Sequence, residues 1–116
     1  MVLVIYVCPN FTANAVKFID VLSGIAGVRF ALVSQEPTVL LPPDIQTRIA
    51  GFRQVPDVFD ADSITFAATE LHGELGAPVH RLIGAVEALQ VPLVTCDAKL
   101  ASRGHSAEIH LVPRTN

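Results

Sequence analysis

An α/β fold is what the sequence predicts: a single three-layer domain with a mostly parallel sheet and helices on both faces, Rossmann-like in plan. Three observations lead there. Apolar, β-branched runs recur along the chain, as in Val2–Cys8 and Val28–Ser34, and such runs mark strands buried on both faces. Between them, apolar residues fall at steps of three and four, the period of amphipathic helices. Finally, 116 residues with 51% hydrophobic content suit one core covered from both sides and leave no room for a second domain.

Val2–Cys8 forms the first strand, and Pro9-Asn10 breaks it where a crossover helix begins. Phe11, Ala15, Phe18, Leu22 and Ile25 then line one helical face, with Lys17 and Asp20 opposite and Gly27 closing the pattern. Val28–Ser34 repeats the apolar strand. Pro42-Pro43-Asp44 opens a short helix through Ile45 and Ile49, with Gly51 as its stop. A third strand is predicted over 52–55. Asp57, Asp60 and Asp62 precede a helix with Ile64, Ala68, Leu71 and Leu75 on one face, where acids complement the positive end of the dipole. In 79–89, Val79, Leu82, Ile83, Val86 and Leu89 fit a helix and fail strict alternation, so the spacing predicts a helix. A strand over 93–96, a short helix over 98–103 and a last strand over 108–112 complete the alternation, which implies parallel strands joined by right-handed crossovers.

Composition narrows the function. A net charge of -3 and a pI near 5.7 show no basic stripe, which disfavours nucleic acid as a partner. No apolar stretch approaches the roughly 20 residues needed to span a bilayer, and a buried sheet accounts for the mean hydropathy of +0.49. The beginning of the chain has no cationic segment ahead of its apolar run, and two cysteines make no disulfide framework. A cytoplasmic location with reduced thiols is expected, although Cys8 and Cys96 both end predicted strands and could approach each other. His72, His80, His105 and His110 are scattered without an i, i+4 pair, so zinc is not indicated. The sequence has no G-x-G-x-x-G, Walker A, G-x-S-x-G or C-x-x-C.

Two resemblances meet near residue 92. Phe11-Thr12, Asn14-Ala15, Phe18-Ile19, Val33-Ser34-Gln35-Glu36-Pro37, Leu41-Pro42-Pro43, Ile49-Ala50-Gly51 and the run His80 to Leu93 occur in an order that resembles the N-terminal, Rossmann-like domain of bacterial ATP-grasp ligases. That resemblance covers residues 1–93. It implies a domain forming one wall of a cleft, with ATP and magnesium held by a following ATP-grasp module that this sequence does not contain, and it makes 79–84 a strand ending near Gly84. Residues 88–112, through Val91-Pro92-Leu93-Val94-Thr95-Cys96-Asp97-Ala98-Lys99-Leu100-Ala101 and Ala107 to Val112, instead resemble the end of PIN-domain ribonucleases of the toxin-antitoxin kind. There the aspartate matching Asp97 helps bind a divalent metal. The first strand carries no matching aspartate and Val79 stands where another late one is expected, so this reading supplies one carboxylate where a hard cation needs several oxygens. A single α/β domain over 1–116, pre-ATP-grasp-like through 93 and PIN-like over 94–116, is also what a fused gene or an engineered chimera would produce.

The candidate residues follow from strand ends. Pro9, Asn10, Ser34 and Glu36 lie where a parallel sheet gathers its ligands, and Glu87 matches a glutamate near the ligase cleft; these five are substrate-binding candidates. Asn10 and Thr12 are equally candidates to cap the first helix. Asp97, directly after a predicted strand and before a predicted helix, reads as an N-cap or as a metal ligand. The leading expectation is a ligase-like front domain without catalysis or a cofactor of its own, partnered by an ATP-grasp module or a second copy of itself. The alternatives are an incomplete, magnesium-dependent PIN-type ribonuclease and a recombined scaffold without evolved function.

Overall fold

The computed structural model describes residues 2–85, 89–102 and 108–111, with only the backbone at 90, 91, 97, 100–102 and 108–111. In chain order the elements are β1 (Val2–Cys8), α1 (Ala13–Ser23), β2 (Val28–Ser34), a 3-10 turn (Thr38–Leu40), α2 (Pro43–Gln46), β3 (Gly51–Gln54), α3 (Ala61–Leu75), β4 (Val79–Gly84), α4 (Gln90–Ser102) and β5 (Glu108–Leu111). The five strands form one sheet in the order β3-β2-β1-β4-β5, and every neighbouring pair is parallel. β1 and β2 run in register along their whole length, from Val2 opposite Val28 to Cys8 opposite Ser34.

Alternation along β1 sorts the core into two layers. Leu3, Ile5 and Val7 join Ala31, Val33, Ile64, Ala68, Leu71, Leu82, Leu89, Leu93 and Cys96 under α3 and α4. Tyr6 and Cys8 join Ile19, Phe30, Leu32, Leu41 and Ile45 under α1 and α2. Covering both faces with helices is what right-handed crossovers produce once the chain, having laid β2 and β3 to one side of β1, returns through α3 to lay β4 on the other.

Local chemistry sets the helix ends. Thr12 takes the cap of α1, its Oγ1 accepting the Ala15 N–H at 3.2 Å. Asp60 caps α3, accepting from the Asp62 backbone at 3.3 Å and from the Ser63 hydroxyl at 2.9 Å. α3 stops at Gly76, whose φ of 64° lies in the left-handed region that suits glycine. Gly51 opens β3 rather than stopping α2, which ends at Gln46, and a Cβ there would lie 2.7 Å from Leu71 Cδ2, so α3 packs this closely only against glycine.

Several sequence expectations are corrected. α1 turns Ala15 and Ile19 into the core, whereas Phe18 and Ile25 are exposed; α1 ends at Ser23 with Gly24 as its C-cap, and Gly27, with φ of 80°, serves the turn before β2. The third strand ends at Gln54 rather than Val55. The helix predicted over 79–89 is instead the strand β4 through Gly84. Its register explains the misreading: Leu3 pairs with Val79 but Val4 pairs with Arg81, so His80 is an extra residue at a bulge. The bulge resets the alternation, and Val79 and Leu82, three residues apart, face the same layer. A strand with a bulge thereby mimics helical spacing. Conversely, the strand predicted over 93–96 and the separate helix over 98–103 are one helix, α4, in which Leu93 and Cys96 are buried, as is Leu89 just ahead of it, and Val94 and Thr95 are exposed. Pro92 sits in its first turn, where the missing N–H costs nothing. Arg103 and Val112 lie outside the described residues.

Candidate functional site

A parallel sheet binds ligands outside the carboxyl ends of neighbouring strands whose connections leave in opposite directions. In the order β3-β2-β1-β4-β5 that reversal falls between β1 and β4. The chain leaving Cys8 and the chain leaving Gly84 therefore border the crevice, and the Ala85 N–H, donating to the Val7 carbonyl at 3.0 Å, carries the pairing one residue past β4. Four of the residues expected to bind substrate, Pro9, Asn10, Ser34 and Glu36, come together along this edge.

The polar groups of Pro9, Ser34 and Glu36 are tied together. Phe11 N–H donates to Glu36 Oε1 at 2.7 Å, which locks the turn after β1 against the turn after β2. The buried Ser34 hydroxyl donates to the Pro9 carbonyl at 3.4 Å and accepts the Glu36 N–H at 3.2 Å. A third turn joins through residues that strand-end reasoning passed over: Gln35 Oε1 accepts the Val58 N–H at 3.0 Å, and Gln54 Nε2 donates to the Gln35 carbonyl at 3.1 Å. Gln54 ends β3, one residue before the end of the predicted third strand, so listing the last residues of every predicted strand, rather than of the two strongest, would have found it. Asn10 is exposed at the rim, and Thr12, not Asn10, serves as the cap.

Electrostatics give the edge a definite character. Cys8, wholly buried opposite Ser34, has its thiol pushed up to about 12, first by burial and then by the negative charge of Glu36, with a hydrogen bond from Ser34 opposing. It is a protonated thiol at neutral pH and an inert one. Tyr6, one turn of alternation below, is raised as well, by burial first and by the neighbouring Cys8 second. The edge thus offers one carboxylate held by a backbone donor, a wall of backbone and amide groups, and no thiolate.

Asp97, expected as an N-cap or a metal ligand at a strand end, stands instead inside α4, which rules out the N-cap. It is the eighth of thirteen residues in α4, so it caps nothing and follows no strand. With a rise of about 1.5 Å per residue it sits roughly 10 Å along the helix from the α4 start. Glu87 lies outside the described residues. Among the described residues no group of three or more His, Cys, Asp or Glu side chains gathers in a metal-holding arrangement. Cys8 and Cys96 do not approach each other, because the sheet separates the two layers to which they belong. No helix among the described residues is long and apolar enough to cross a membrane. No family model, curated protein or solved structure matches the chain.

Proposed function

We propose that this chain is a Rossmann-like front domain related to ATP-grasp carboxylate-amine ligases, forming one wall of a substrate cleft while a separate ATP-grasp module performs catalysis. The observation that carries the reading is the switch point itself: β1 and β4 lie side by side, and Pro9, Ser34 and Glu36 are braced into one polar edge, with Asn10 exposed at its rim, beside a thiol held protonated. Such an edge is shaped to contact a ligand and carries no activated nucleophile. The course of β4, a strand through Gly84 beside β1, also agrees with the ligase-like pattern of His80 to Leu93. Glu36 and the rim amides would position an amine or hydroxyl of the substrate. ATP and magnesium would be held by the other module, and the described residues of this chain gather no carboxylate cage for a cation.

The test is a titration of the isotope-labelled chain with an α-amino acid such as alanine, followed by amide chemical shifts, alongside an assay for phosphate release from ATP. Shifts confined to the Asn10, Ser34 and Glu36 edge, without phosphate release, are expected. An unresponsive edge, or ATP turnover by the chain by itself, would overturn the proposal. Magnesium-dependent RNA cleavage abolished by Asp97→Asn would replace it with the nuclease reading.

A further inference from the structure

The segment 34–36 grips the molecule on both sides of the sheet. On one side Gln35 Oε1 accepts the Val58 N–H at 3.0 Å, and Val58 is wholly buried in the layer under α3 and α4. On the other, Glu36 Oε1 accepts the Phe11 N–H at 2.7 Å, and Phe11 packs against the layer under α1 and α2. Phe11 and Val58 both stand outside helices and strands, so each gives its N–H to a side-chain oxygen. Between the two grips, the Gln35–Glu36 peptide is held at both of its edges: Gln54 Nε2 donates to its carbonyl at 3.1 Å, and its N–H donates to Ser34 Oγ at 3.2 Å. Ser34 in turn donates to the Pro9 carbonyl at 3.4 Å.

We infer that residues 34–36 are a two-sided clasp through which the turn after β3 sets the order of the turn after β1, so that Gln35 is a positioning residue for the crevice edge although it stands one strand away from the crevice. The coupling element is the Gln35–Glu36 peptide. A peptide unit is planar, so a tilt that draws its carbonyl off Gln54 also swings its N–H off Ser34. That tilt carries both flanking side chains with it: Gln35 leaves Val58, and Glu36 leaves Phe11. The clasp therefore has a latched arrangement, in which all five bonds form, and a released one, in which two backbone donors lose their acceptors together. A donor left without an acceptor away from water costs more than the net worth of the bond it made, which favours the latched arrangement. Both grips bias one two-state element, and coupling of that kind is reciprocal: holding Val58 strengthens the hold on Phe11, and the reverse. An event at Asp57 or Phe59, which are exposed on either side of Val58, thereby reaches the turn that borders the β1–β4 crevice. The coupling is a property of the chain by itself and does not rest on the ligand proposed above.

Native-state hydrogen exchange of the full chain, followed amide by amide, tests it. Gln35→Met keeps the length of the side chain and removes its acceptor. The Val58 N–H should then exchange about fivefold faster or more, and the Phe11 N–H, which Gln35 does not touch, should accelerate several-fold with it. In the other direction, Glu36→Ala should accelerate Val58, whereas Glu36→Gln, which retains an acceptor for Phe11, should leave Val58 at the wild-type rate. Gln54→Ala changes an exposed side chain and releases only the Gln35 carbonyl, so it should move Phe11 and Val58 the same way by a smaller factor and reads the coupling even if Gln35→Met fails to fold. Gly76→Ala is the control, because strain at its φ of 64° lowers overall stability from the far end of α3 without touching the clasp. Acceleration of Val58 without Phe11 in Gln35→Met, an unmoved Val58 in Glu36→Ala, or equal acceleration of both amides in Gly76→Ala would each overturn the inference.

Discussion

The carboxylate of Glu36 acts on two neighbours from one position: its Oε1 accepts the Phe11 N–H, and its charge opposes ionisation of the buried Cys8 thiol. Glu36→Gln keeps an acceptor and removes the charge, so the Cys8 pKa should fall from about 12 while the turn after β1 stays in place. Glu36→Ala removes both and should also lower stability by about 1 kcal/mol through the unpaired backbone donor. The linkage has a definite sign. A thiol whose folded pKa is raised from 9.0 to about 12 contributes stability that is fully present below about pH 9 and is lost as pH rises toward 12. Tyr6 pulls in the same direction, since burial raises it too. Chemical denaturation between pH 8 and 12 should therefore show an alkaline decline that is shallower in Cys8→Ala, although that variant starts from lower stability at neutral pH because it leaves a small cavity. An equal slope in wild type and Cys8→Ala would show that the thiol stays protonated in the unfolded chain or is not desolvated in the folded one.

At the scale of elements, β1, β2 and α3 were legible in the sequence because burial, capping and periodicity agree in each: continuous apolar runs for the strands, and Asp60 ahead of a clean apolar face for α3. β4 and α4 were not, and for complementary reasons. The extra residue His80 gives β4 an i, i+3, i+4 apolar pattern, whereas the β-branched Val91, Val94 and Thr95 give the first turns of α4 the look of a strand. The helical period is carried by Leu93 and Cys96 of α4 together with Leu89 just before it, a set that straddles the start of the predicted strand. The same misassignment moved the candidate site: an aspartate at a strand end is a natural cap, while one in mid-helix caps nothing. Asp97→Ala consequently discriminates between the placements by sign. A cap would lose 0.5–2 kcal/mol, roughly, on truncation. In a helix interior, alanine is the better helix former by about 0.5 kcal/mol, so Asp97→Ala should be neutral to slightly stabilising. Thermal melts with and without millimolar magnesium complete the comparison, because a wild-type-specific gain with magnesium would mark a bound cation.

Across the whole molecule, the reversal of strand order between β1 and β4 does two things at once: it opens the crevice at the carboxyl edge, and it sends α3 and α4 to the face opposite α1 and α2. The sheet is therefore a partition as well as a scaffold. Cys8 projects into the α1 and α2 layer and Cys96 into the α3 and α4 layer, and both are fully buried. Sulfur atoms on opposite sides of a strand layer cannot reach the roughly 2 Å of a disulfide without dismantling the sheet between them. Under mild oxidation the native chain should form no intramolecular disulfide, as read by mass spectrometry after alkylation in denaturant. Alkylation kinetics should add a second signature. Because each thiol is enclosed in a core layer that includes β1 residues, exposure of either requires disrupting the same central strand, and the two should become reactive together as denaturant is added. Reaction of Cys96 well before Cys8 would reveal that α4 opens as a separate unit, and a native disulfide would mean that the two cysteines share a layer, contrary to the arrangement of the sheet.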